Sequence, residues 1–106
     1  MEQRRTRRFK LQLPLSITRS GAERVAFAGR TKNISSTGVL FTTESEPDLA
    51  GAIEYVITLN RDSEQAVNLR CIGKIVRLER DHNPLEMVPE YQVAATLERY
   101  EFVRDH

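Results

Sequence analysis

Apolar residues recur at every second position through most of this chain, and that spacing commits it to β-strands. Leu11, Leu13, Leu15 and Ile17 alternate with Lys10, Gln12, Ser16 and Thr18, so one face of an extended segment is apolar. Pro14 in this run has no amide hydrogen, which predicts an edge position or an irregular strand start. Val25, Phe27 and Gly29 begin a second strand that runs toward Asn33, and Val39 with Phe41 begins a third. Ile53, Tyr55, Ile57 and Leu59 make the most regular alternation. Val67, Leu69, Cys71, Gly73 and Ile75 continue it, after which Val76 and Leu78 carry it on the opposite parity. A β-bulge near Gly73–Val76 accounts for that switch. Tyr91, Val93, Ala95 and Leu97 form the last strand. Turn-forming residues separate these runs: Arg19-Ser20-Gly21, the polar stretch from Glu44 to Gly51 with Pro47, Asn60-Arg61-Asp62-Ser63, and Asp81-His82-Asn83-Pro84. Residues 98–106 are charged and are expected to end in a short helical turn.

Six short strands with no long helical period predict an all-β domain, an antiparallel barrel or a sandwich. Closure into a barrel would remove the exposed edges, but periodicity does not choose between the two. At 106 residues the chain supports one modest core, hence a single domain. No apolar run approaches the 18 or so residues of a membrane-spanning helix. The basic start has no apolar segment behind it and is not read as a secretory signal. The single cysteine, Cys71, excludes an internal disulfide and reads as a small core residue, and a reducing cytoplasm is the expected setting. His82 and His106 stand apart from other metal-ligand types, and no nucleophile–base set or Gly-rich phosphate loop is present. A binding domain is therefore expected, with no metal, no cofactor and no enzyme activity.

Charge is distributed unevenly. Residues 1–32 hold nine Lys/Arg and two Glu, net +7, whereas residues 33–106 hold seven Lys/Arg and thirteen Asp/Glu, net −6. An anionic partner is expected for the N-terminal third. That third contains Arg4-Arg5-Thr6-Arg7-Arg8, in which Arg4 and Arg8 form Arg-x-x-x-Arg. Guanidinium groups bond phosphate oxygens bidentately, pair with the O6/N7 edge of guanine and stack on bases. Asn33-Ile34-Ser35-Ser36-Thr37-Gly38 follows some 25 residues later at a strand–turn–strand corner. There Asn33 can address a base edge, Ser35 can donate to a phosphate, and Gly38 permits positive φ and close backbone approach. Each motif also has a plain structural reading, a solvated basic tail and a turn whose Asn and Ser cap their own backbone.

Taken together and in this order, the motifs resemble the ligand-binding signature of PilZ domains, Arg-x-x-x-Arg followed by (Asp/Asn)-x-Ser-x-x-Gly. Phe9-Lys10-Leu11-Gln12-Leu13-Pro14-Leu15 is similar to that family's first strand, Gly73-Lys74-Ile75-Val76-Arg77 to a later one, and Tyr91-Gln92-Val93-Ala94-Ala95-Thr96-Leu97 to its closing strand. The resemblance implies a six-stranded antiparallel β-barrel of the split-barrel type, with a mobile N-terminal arm and a C-terminal helix. It divides the chain into an arginine-rich arm over 1–10, a barrel over 11–98 and a tail over 99–106.

The ligand implied is cyclic di-GMP, which often binds such domains as an intercalated dimer. Arg4 and Arg8 would contact phosphates and guanine edges, Asn33 would read a guanine, and Ser35 and Gly38 would line the phosphate side. Arg5 and Arg7 fit no invariant position; both add attraction for the anion, and Arg5 is a candidate to stack on a base. Arg77 reads as a barrel-surface residue that the family could bring near the pocket. Two departures stand out: Asn at position 33, where Asp is commoner, and Thr37 where a second glycine is frequent. Neutral Asn lacks the charge-assisted bond that Asp makes to guanine N–H donors. The function implied is a receptor that passes ligand occupancy to a protein effector, of motility, exopolysaccharide or pilus machinery, by ordering its arm. The alternatives are a PilZ-like adaptor that binds no nucleotide, and a basic-armed nucleic-acid-binding barrel. The second is disfavoured by a net-negative body with few strand aromatics.

Overall fold

The computed structural model describes residues 12–60, 67–81 and 89–104, and all regular structure among them is β. Seven strands follow the chain: β1 (Pro14–Ser20), β2 (Glu23–Ile34), β3 (Gly38–Thr43), β4 (Ala52–Asn60), β5 (Val67–Asp81), β6 (Glu90–Thr96) and β7 (Arg99–Arg104). All pairings are antiparallel, in the order β4-β1-β2-β3-β6-β5, and β4 pairs back onto β5 to close the ring. The choice between barrel and sandwich thus falls to a six-stranded barrel with one extra strand, β7, added to β5. No helix among the described residues is long and apolar enough to cross a membrane.

Alternate residues of the six strands fill the barrel, as small barrels require. Leu15, Ile17, Val39, Phe41, Ile53, Tyr55, Ile57, Leu69, Cys71, Val93 and Ala95 form the buried cluster. Phe41 and Tyr55 meet at its centre with ring centroids 5.8 Å apart. Pro14 is the first residue of β1, which β2 and β4 flank on both sides, so it marks a strand start and not an edge.

Of the four register shifts among the described strands, one of them at Thr58/Asn60 between β4 and β5, those in β5, β2 and β1 reset which face the strand turns inward. In β5, Ile75 faces Ala95 and Arg77 faces Ala94, which leaves Val76 as the extra, exposed residue. This is the parity switch read from the sequence. In β2, Thr31 faces Phe41 and Asn33 faces Leu40, so Lys32 is the extra residue. In β1 a shift at Thr18 turns Ser20 inward, where its Oγ accepts from the Asp48 amide at 2.8 Å.

The helical turn expected near the C-terminus is not what forms over 99–104: Arg99–Arg104 is the strand β7. Its alternation of Tyr100 and Phe102 with Arg99 and Glu101 has period two, which suits a strand. The edge of β5 beside residues 67–72 offers it a ladder. The turn expected from Asn60 to Ser63 and the loop expected from Asp81 to Pro84 lie outside the described residues, apart from Asn60 at the end of β4 and Asp81, which is the last residue of β5.

Two buried protons make the fold sensitive to alkali. Burial pushes the Cys71 thiol from its ordinary 9.0 up to about 12. The Tyr55 hydroxyl is raised well above the usual phenol range, chiefly by burial and further by Cys71 and Glu98. Both groups keep their protons in the folded state at pH values where the unfolded chain releases them. Their contribution to stability is therefore complete below the unfolded pKa values and is lost as pH rises through the folded ones. Melting temperature should hold steady from pH 7 to about 8.5 and fall above it, where an unfolded thiol ionises. Cys71→Ala should make the fall shallower in a series of thermal melts; an unchanged slope would contradict this assignment.

Candidate functional site

Of the residues nominated by sequence, Asn33, Ser35 and Gly38 are brought together at the β2–β3 hairpin. Arg4, Arg5 and Arg8 lie outside the described residues, as does the arm over 1–10 to which they were assigned.

Ser35 builds the turn. Its amide donates to the Gly38 carbonyl at 2.9 Å. Its Oγ accepts from the amides of Thr37 at 3.3 Å and Gly38 at 3.2 Å, and donates to the Gly38 carbonyl at 3.2 Å. The plain reading of Ser35 as a cap on its own backbone therefore describes the molecule without ligand. Among the described residues positive φ occurs only at Gly21 and Gly51, so the expectation of a left-handed Gly38 is corrected. Gly38 is needed for space: a Cβ there would stand 2.9 Å from the Ala95 carbonyl oxygen of β6. Thr37 sits in the turn without a left-handed backbone, which makes a second glycine unnecessary.

Asn33 owes its direction to the bulge at Lys32. Val25 and Phe27, on the odd parity, pack against the core, and Thr31 of the same parity is buried; after the bulge Ile34 takes the inward place. Asn33 consequently shares the outer face with Leu40, its cross-strand partner. Asn33 is half-buried there, and its side-chain amide has no hydrogen-bond partner among the described residues.

The register extends this position into a row across four strands: Asn33, Leu40, Ala94 and Arg77. At the usual strand spacing the row spans roughly 14 Å. Leu40 and Ala94, both half-buried, form an apolar floor between an amide at one end and a guanidinium at the other. Gly38 and Thr96 pair in the next row, beside the exposed Lys74. The Arg77 guanidinium bonds Glu79 at 2.8 Å, but both side chains are largely exposed and such a pair exchanges easily for another anion.

Below the hairpin tip, the Thr37 carbonyl accepts from the Leu97 amide at 2.9 Å. The Tyr55 hydroxyl donates from the core to the Thr96 carbonyl at 3.0 Å. Thr96 Oγ1 accepts from the Lys74 amide at 2.8 Å and donates to the Glu98 carboxylate at 2.8 Å. Gly73 permits this corner, since a Cβ there would overlap the Thr96 carbonyl oxygen. Lys32, Lys74 and Arg77 supply exposed positive charge around the face, and Glu79 and Glu98 oppose it. The arrangement can bond a base edge, attract phosphate and support a planar group. Among the described residues no group of three or more His, Cys, Asp or Glu side chains could hold a metal ion.

Sequence reading did not nominate Lys32, Thr96 or Leu97. The first had a signal, the change from odd parity at Phe27 to even parity at Ile34. The other two are set by pairing between distant strands.

A family model described as PilZ domain matches residues 2–101 of the 106, a span that contains both motifs. No curated protein and no solved structure gives a match.

Ser35→Ala should lower the stability of the ligand-free protein by about 1 kcal/mol, because it removes the hydroxyl that satisfies the turn. Gly38→Ala should cost about 1–3 kcal/mol through crowding against Ala95. Urea unfolding measures both, and wild-type stability in either variant would contradict the hairpin description.

Proposed function

The chain belongs to the PilZ domain family, whose members are in general receptors for cyclic di-GMP and not enzymes, and from that premise we propose that it binds cyclic di-GMP on the outer face beside the β2–β3 hairpin. The observation that carries this reading is the Lys32 bulge, which sets Asn33 on the outer face beside the turn of Ser35 and Gly38, its amide without a hydrogen-bond partner among the described residues. In this reading Asn33 pairs with a guanine edge. The turn at Ser35 and Gly38 admits a phosphate, with the Ser35 hydroxyl exchanging its internal bond for one to the ligand. The Leu40–Ala94 floor lies under a base, and Arg77 leaves Glu79 for the ligand. Arg4 and Arg8, on an arm over residues 1–10, grip phosphates and guanine edges from above. Arg5 and Arg7 add attraction, with Arg5 placed to stack on a base. The net +7 of residues 1–32 supports an anionic ligand at this side of the domain.

The domain then acts in the cytoplasm as a receptor, and the barrel over 11–98 is the scaffold on which the arm orders. A protein effector reads that ordering. Coupling an arm to ligand places the ordering cost at the moment of binding, so affinity is traded for a large change in the exposed surface. An intercalated ligand dimer fits the same donors, because two stacked copies present more phosphate and guanine edges to the four arginines.

Isothermal titration of the full chain with cyclic di-GMP tests this proposal. Binding is expected with protein at tens of micromolar. Arg8→Ala should abolish it while leaving the thermal melt unchanged. Asn33→Ala should weaken it about tenfold, the worth of one hydrogen bond. Absence of heat with the wild-type chain would overturn the reading.

A further inference from the structure

β7 presents an unpaired edge and an exposed aromatic face, and we propose that two copies of this chain associate by pairing their β7 strands antiparallel about a two-fold axis. This inference is independent of the nucleotide reading. Among the described strands β7 pairs with β5 alone, so its other edge has no strand partner among them. Such an edge is a template for a further strand. Tyr100 and Phe102 stand opposite Cys71 and Leu69, the inward-facing residues of β5, and so continue the apolar face of the barrel past its wall. They are nevertheless 60% and 65% exposed, and they pack edge-to-face with centroids 6.2 Å apart. Arg99 and Glu101 lie on the opposite face of the strand.

The charges select both the occupant and the register. Directly opposed residues in an antiparallel pair share a face, so a continuous aromatic face requires aromatic-bearing parity to meet the same parity. Centring the axis on residue 99 opposes Arg99 to itself, and centring it on 101 opposes Glu101 to itself. Centring on 102 sets Glu101 against Val103. Centring on Tyr100 sets Arg99 against the partner's Glu101 and Glu101 against the partner's Arg99, which gives two symmetric ion pairs. That register also places Tyr100 of the two copies face to face and Phe102 diagonal to the partner's Tyr100, within reach of an aromatic side chain. No ion pair joins Arg99 to a described residue, whereas Glu101 already meets Arg70 at 3.5 Å. Among the described residues, then, no carboxylate competes with the second copy for Arg99. A strand whose own charge order is self-complementary fits a second copy of itself, the requirement of an isologous two-fold contact.

Sedimentation equilibrium of the full chain at tens of micromolar tests this. The wild type should show about twice the 12.2 kDa monomer mass. Arg99→Glu alone and Glu101→Arg alone should each sediment as folded monomers that still melt cooperatively, at a temperature lowered by the lost association. Mixing those two variants should restore the dimer, because each then meets opposite charge at both positions. A wild type that stays monomeric overturns the proposal. So does a dimer that survives both reversals, which would place the contact elsewhere, and so does a mixture of the two variants that remains monomeric.

Discussion

The pairing of β4 with β5 is the constraint on which the rest of the structure depends. Without it the sheet would end in two open edges, and the inward residues of six strands would face solvent. With it, Ile53, Tyr55 and Ile57 of β4 meet Leu69 and Cys71 of β5 across the same interior that Phe41 and Val93 fill from the other side. The closed interior is what raises the proton affinities of Cys71 and Tyr55. It also aims the Tyr55 hydroxyl at the Thr96 carbonyl, so that the core holds the corner beneath the hairpin.

A closed barrel leaves its outer face as the place for function, and one-residue shifts decide which side chains occupy it. Had β2 continued without the bulge at Lys32, Asn33 would point into the core, where an amide without partners is costly, and Ile34 would point to solvent. The shift at Val76 does the same for Arg77, which shares the outer row with Asn33 because both strands slipped by one. The irregularities of the ladder thus specify the candidate site more than its regular stretches do.

Much of this was legible in the chain. The alternation of Leu15 and Ile17, of Ile53, Tyr55 and Ile57, and of Val93 and Ala95 marks core residues directly, and the parity switch at Val76 marks a bulge. The Lys32 bulge was less visible because Gly29 and Thr31 interrupt the apolar pattern between Phe27 and Ile34. β7 was misread because Arg99, Glu101 and Arg104 weight the segment toward a charged tail, although Tyr100 and Phe102 carry a strand's period. Glycine at position 38 answers to a different physical demand than the one expected, since crowding by Ala95 and not backbone conformation requires it. The corner at Thr96 had no sequence signal, because it joins Tyr55, Gly73, Lys74 and Leu97 through pairings between distant strands.

The hairpin tip meets the connection between β6 and β7 at that corner, where Leu97 bonds Thr37 and Glu98 bonds Ile72. Occupancy of the face beside Asn33 is therefore read most directly at individual amides. In an NMR titration of the full chain with cyclic di-GMP, the largest shifts should fall on Asn33 to Gly38, Leu40, Ala94 and Arg77, with little change at Arg19, Arg24 and Arg70 on the wall formed around β1 and β4. Saturating ligand that leaves the hairpin amides unmoved, or that shifts the opposite wall instead, would contradict the account.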